Sequence, residues 1–73
     1  MEDTIKKILS EIVPEFDEYS GNDMIKDGLL DSMQILEIIA EVEEEFKIEI
    51  PAEEMVGDNF RSVQAIKNII IRL

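Results

Sequence analysis

The chain has 73 residues and a formal net charge of −11, with 45% apolar and 34% charged residues and neither cysteine nor histidine. That length supports one small hydrophobic core and leaves no room for a separate substrate domain. The missing Cys and His exclude disulfides, thiolate or imidazole metal sites and the usual Ser–His and Cys–His nucleophile systems, while the charge disfavours nucleic acid and anionic membranes.

The apolar content fits a folded soluble domain. No apolar run approaches a bilayer span, and Met1-Glu2-Asp3 lacks the basic start of a signal peptide, so the expected location is the cytoplasm. A chain that opens on Met and contains a single domain without a linker leads us to expect a stand-alone protein.

In chain order, Asp3 or Thr4 is the expected cap of a first helix. Ile5, Ile8, Leu9, Ile12 and Val13 then form one apolar stripe at helical spacing. Pro14 disfavours helical geometry at Val13 and ends the helix there. Phe16 and Tyr19 read as anchors for the departing chain. From Asp17 to Asp31 the sequence predicts a long loop, with turn chemistry at Ser20-Gly21-Asn22-Asp23 and at Asp27-Gly28. Met24, Ile25, Leu29 and Leu30 should hold it against the helices. Its carboxylates do not have the spacing of a calcium loop.

A second helix is predicted over Ser32–Phe46. Met33, Ile35, Leu36, Ile38, Ile39, Val42 and Phe46 give it a broad apolar side, as expected of a central helix touching more than one neighbour. Its other side carries Glu37, Glu41, Glu44 and Glu45, with Glu43 beside them. Like charges at these spacings cost about 0.2–0.5 kcal/mol per pair. They also crowd toward the helix end that favours cations. That cost is a reason to expect a partner that reads this face.

Lys47–Pro51 alternates like a strand without a partner strand, so an extended connector is expected, with Ile48 and Ile50 in the core. Ala52–Val56 has room for one helical turn, stopped at Gly57. Asp58-Asn59-Phe60 reads as a turn with an aromatic anchor. A last helix begins after Ser62 as N-cap, with Val63, Ile66, Ile69, Ile70 and Leu73 as its stripe and Ile71 off it. The predicted fold is all-α: a small bundle of three main helices plus one short helix.

Asp31 and Gln34 have the spacing of a capping box, which puts Ser32 in the first turn of the second helix. A hydroxyl there is exposed on a rigid element beside free backbone N–H groups that favour a phosphate. Capping alone also accounts for a serine near a helix start.

Gly28-Leu29-Leu30-Asp31-Ser32-Met33 resembles the attachment motif of the acyl carrier protein family, the phosphopantetheine-attachment domain. Glu43-Glu44-Glu45-Phe46 followed by Ile48–Pro51, and Phe60–Ile66, resemble the exit of that family's second helix and the opening of its last one. The resemblance covers essentially the whole chain. It implies that a separate magnesium-using phosphopantetheinyl transferase esterifies Ser32 with 4′-phosphopantetheine from coenzyme A, with Asp31 beside the site. The terminal thiol of that arm would carry acyl groups as thioesters. The chain would be a carrier and a substrate, not an enzyme. The resemblance also implies that Met33, Glu37, Glu41, Glu43 and Glu44 meet basic docking patches on acyl-transferring or acyl-activating enzymes, and that the chain is a monomer.

Met33 stands where leucine is commoner, and Gln34 where fatty-acid carriers often have an acidic residue. The same run also resembles D-alanine carrier proteins and stand-alone carriers of peptide or polyketide pathways. A second class of function is an acidic interaction module that docks on basic surfaces without covalent modification.

Overall fold

Ile5 and Leu9 have no exposed surface and Ile8 almost none, and they fix the apolar face of α1 (Glu2–Ile12). The computed structural model describes residues 1–73. α1 starts earlier than the expected cap at Asp3 or Thr4. Met1 occupies the N-cap without a side-chain hydrogen bond, and Glu2 and Asp3 lie in the first turn. There their charge meets the positive end of the helix dipole, which substitutes for a cap. Val13 leaves the helix in extended geometry (φ −119°, ψ 97°) with its side chain fully buried, as Pro14 requires.

Pro14–Glu18 is a 3₁₀ turn, where the sequence suggested that a loop begins at Asp17. Proline at its first position suits a fixed φ and a missing N–H. Beyond it the chain is tied by Tyr19. Its hydroxyl donates to Asp27 Oδ2 (2.6 Å) and accepts from the Asp23 N–H (3.0 Å). Asp23 Oδ1 in turn accepts from the N–H groups of Ile25 (3.2 Å) and Lys26 (2.9 Å). Gly21 sits against this knot, and a Cβ there would collide with Tyr19 Oη and Asp27 Oδ2. Gly28 takes a left-handed φ of 75° and turns the chain toward Leu29.

Partial burial and the hydrogen bond to Asp27 raise the Tyr19 pKa above 10.0. A phenol whose folded pKa is raised contributes stability that is complete below the unfolded value of about 10 and fades as pH rises through the folded one. Urea unfolding should therefore show a loss of stability above about pH 10 that is smaller in Tyr19→Phe. Equal alkaline losses in both proteins would contradict this role for the hydroxyl.

Met24 is the pivot of the loop. Its side chain is buried, its N–H donates to the Arg61 carbonyl (2.6 Å), and its carbonyl accepts from Leu29 (2.9 Å) and Leu30 (3.2 Å). The long loop is thus pinned to the start of the last helix and to its own end, as its apolar residues suggested.

α2 (Ser32–Phe46) buries Ile38, Ile39 and Val42. Its apolar side is narrower than the sequence suggested, because Met33 and Leu36 are 67% and 58% exposed. For the same reason α2 is not the central helix. α1 packs extensively on both α2 and α3 (Val63–Arg72) and takes that place. α2 ends at Lys47, in left-handed geometry (φ 57°), with the N–H groups of Lys47 and Ile48 both donating to the Glu43 carbonyl. The connector then runs extended, with Ile48 half-buried and Ile50 in the core.

Ala52–Glu54 is a 3₁₀ turn that ends at Met55, and Gly57–Phe60 is a second one. Gly57 therefore opens a turn instead of stopping one, and Met55 and Val56 between the two are exposed. Phe60 has no exposed surface. Ser62 caps α3, its Oγ accepting from the Ala65 N–H (3.0 Å). Ile66, Ile69 and Ile70 face the core, Ile71 is exposed as expected, and Leu73 proves exposed as well because the helix ends at Arg72. No helix is long and apolar enough to cross a membrane.

Candidate attachment site

The N-terminus of α2 is held from both sides. Leu30 is buried just before it, and the capping box closes at its first turn. The Gln34 N–H donates to Asp31 Oδ1 (2.8 Å), and the Asp31 N–H donates to Gln34 Oε1 (3.0 Å). The Ile35 N–H reaches the Asp31 carbonyl (3.0 Å). Removing the cap with Asp31→Ala should cost about 1 kcal/mol. In a domain of this size that lowers the melting temperature by about 4–8 °C. An unchanged melting temperature would show that Leu30 alone holds the helix start.

This arrangement leaves Ser32 exposed at the first helical position, with no hydrogen-bond partner for its hydroxyl within the chain. The chain has three other serines. Ser10 donates to Asp17, Ser62 is committed to capping α3, and Ser20 lies in the loop away from any helix start. Only Ser32 combines a free hydroxyl with unpaired first-turn N–H groups, its own and that of Met33. Those groups and the dipole favour a phosphate on the Ser32 oxygen. The site therefore fits a phosphodiester-linked group. Asp31 stands beside it as the cap.

The residues expected to meet partners lie along the same helix. Met33, Glu37, Glu41 and Glu44 are exposed. Glu43 differs: it is half-buried, and its Oε2 accepts from the Ile50 N–H (2.8 Å). It ties the end of α2 to the connector. Nothing in its spacing announced that bond, since its partner is a backbone group seven residues on. Leu36, expected on the apolar side of α2, is exposed on this surface as well. Together with Met33 it adds an apolar spot to an acidic helix face.

A small helical domain with one free serine at a capped helix start, and an acidic helix running away from it, has room for a phosphate-linked group at that hydroxyl. A model of the family described as phosphopantetheine attachment site matches residues 3–70. The chain is 39% identical to an acyl carrier protein of Buchnera aphidicola subsp. Baizongia pistaciae (strain Bp), over 96% of this chain and 90% of that one. It is 30% identical to a D-alanyl carrier protein of Streptococcus suis (strain 98HAH33), over all of this chain and 94% of that one. No solved structure matches the chain. The chain belongs to the phosphopantetheine-attachment family, and the group this family holds covalently is 4′-phosphopantetheine.

Proposed function

We propose that the chain is a carrier whose Ser32 holds the 4′-phosphopantetheine arm. The observation that carries this reading is the free, exposed Ser32 hydroxyl among the unpaired N–H groups of the first turn of α2. In the loading reaction the Ser32 oxygen forms the new phosphodiester, adenosine 3′,5′-bisphosphate leaves from coenzyme A, and the hydroxyl proton passes to a base of the transferase. The arm supplies a thiol to a chain that has no cysteine. The carrier then presents acyl groups as thioesters and leaves the chemistry to other enzymes. Tandem mass spectrometry of the loaded chain should place the added group on Ser32; finding it on Ser10, Ser20 or Ser62 would overturn the assignment.

Met33, Glu37, Glu41 and Glu44 are proposed as the surface that the transferase and the acyl-handling enzymes read through basic patches, with Glu43 adding its charge from a carboxylate held in place by the Ile50 N–H. Such complementarity speeds encounter more than it tightens binding, as a carrier visiting several enzymes needs. The double variant Glu41→Lys, Glu44→Lys should be loaded about tenfold more slowly at low salt, with the gap closing as salt rises. Lysine suits the C-terminal half of a helix, so slow loading could not be blamed on a weaker fold. Equal rates at low salt would remove this surface from recognition.

A further inference from the structure

Asp27-Gly28 is the one place in the chain where an aspartate or asparagine is followed by glycine. A glycine nitrogen has no neighbouring Cβ to screen it from the carboxyl group that precedes it. Both residues are exposed, and the space around Gly28 is open, with nothing within 4 Å of where a Cβ would stand. Two hydrogen bonds hold the reactive atoms. The Tyr19 hydroxyl donates to Asp27 Oδ2 (2.6 Å), and the Gly28 N–H donates to the Ile25 carbonyl (3.1 Å). Bonds of this kind in an exposed loop open far more readily than the whole domain unfolds. With both open, the Asp27 carboxyl is free to turn onto the Gly28 nitrogen.

The same residues govern the approach to Ser32. Gly28 turns the chain with a left-handed φ of 75°, and the next two N–H groups, of Leu29 and Leu30, donate to the Met24 carbonyl (2.9 and 3.2 Å). Leu30 is buried and directly precedes the cap residue Asp31. A change of backbone length at residue 27 therefore reaches the start of α2.

Going beyond the carrier reading, we propose that Asp27-Gly28 is a site of spontaneous isoaspartate formation, restrained by the Tyr19 hydroxyl, whose product slackens the hold on Ser32. The Gly28 nitrogen attacks Asp27 Cγ, and the new C–N bond closes a five-membered imide. One carboxyl oxygen leaves as water, taking the carboxyl proton and the Gly28 amide proton. A second water then opens the ring. Attack at Cγ restores aspartate, whereas attack at the α-carbonyl leaves the backbone running through Cβ and Cγ, one carbon longer. The step needs no oxidant, cofactor or enzyme. Asp31 is the slower site, because it precedes serine and its Oδ1 is held by the Gln34 N–H. The longer backbone at residue 27 draws the Leu29 and Leu30 amides off the Met24 carbonyl and loosens the helix start that follows.

The test is to age the native chain, Tyr19→Phe, Ser62→Ala and Asp27→Glu at neutral pH and physiological temperature, beside a peptide of residues 24–30. Isoaspartate is read by methyl transfer from S-adenosylmethionine with an isoaspartyl methyltransferase, and placed by fragmentation mass spectrometry. It should collect at residue 27 of the native chain, more slowly than in the peptide. Tyr19→Phe should gain it about threefold faster or more, the factor that one ordinary hydrogen bond supplies. Ser62→Ala, which loosens α3 and spares the Tyr19–Asp27 bond, should keep the native rate. Asp27→Glu, whose ring closes far more slowly, should stay intact. The aged form should load about tenfold more slowly than fresh chain, as misplacing a reacting group by about an ångström allows. No isoaspartate at residue 27 once the peptide has converted would overturn the proposal. So would an unchanged rate in Tyr19→Phe, an equal rise in Ser62→Ala, or aged chain that loads as fast as fresh. Fresh chain that accepts no arm sinks the carrier reading instead, and the isoaspartate measurement then decides this proposal by itself.

Discussion

Ser32→Ala is expected to abolish loading with 4′-phosphopantetheine and to leave the fold as stable as before. The loss follows from removing the only oxygen that can enter the phosphodiester at this position. The neutrality follows from what the hydroxyl does in the fold, which is nothing: it has no partner, and the capping box uses Asp31 and Gln34. Alanine is a good helix former, and an exposed substitution of this kind stays within about 0.5 kcal/mol. Ser62→Ala is the informative contrast. There the hydroxyl caps α3, so the variant should lose about 1 kcal/mol yet load normally. Urea unfolding and a loading assay on the two variants separate a serine used for attachment from one used for folding. Retained loading in Ser32→Ala, or a stability loss there as large as in Ser62→Ala, would contradict the account.

The largest effect on stability is expected from Phe60→Ala. Phe60 ends the Gly57–Phe60 3₁₀ turn, packs at the entry to α3, and is the bulkiest fully buried side chain. Emptying such a position costs about 3–5 kcal/mol, through lost burial and the cavity left behind. A domain of this length has only about 4–11 kcal/mol in total, at the usual stability per residue. The variant should therefore melt far below the native chain, and Phe60→Leu should fall between the two. A loss under about 1 kcal/mol would mean that the core closes over the gap, which dense packing does not ordinarily permit.

The elements that were legible in the sequence are those whose signal is local. The Asp31–Gln34 spacing located the start of α2 and placed Ser32 on its first turn, Pro14 located the end of α1, and Ser62 located the start of α3. Each of these rests on a bond or a steric clash within a few residues, so spacing alone reveals it. The misreadings concern partners that are distant in sequence. Met33 and Leu36 fall on the apolar arc of α2 by periodicity, but whether a flank of that arc is covered depends on where α1 and α3 lie. Leu73 continues the stripe of α3 beyond the last residue the core can cover. Glu43 looked like its neighbours until the extended connector brought the Ile50 N–H to its carboxylate. Lys47 takes a left-handed geometry usually signalled by glycine, and its own residue type gave no warning. The Tyr19–Asp27 knot joined residues that showed only turn chemistry and an aromatic anchor.

Attachment at Ser32 is tested by the intact mass of the native chain before and after incubation with coenzyme A, magnesium and a broad-specificity phosphopantetheinyl transferase. A gain of one phosphopantetheine per chain is expected in the native protein and none in Ser32→Ala. A folded, unmodified native chain that gains nothing would contradict it, and the acidic helix face would then be read as a surface for non-covalent docking.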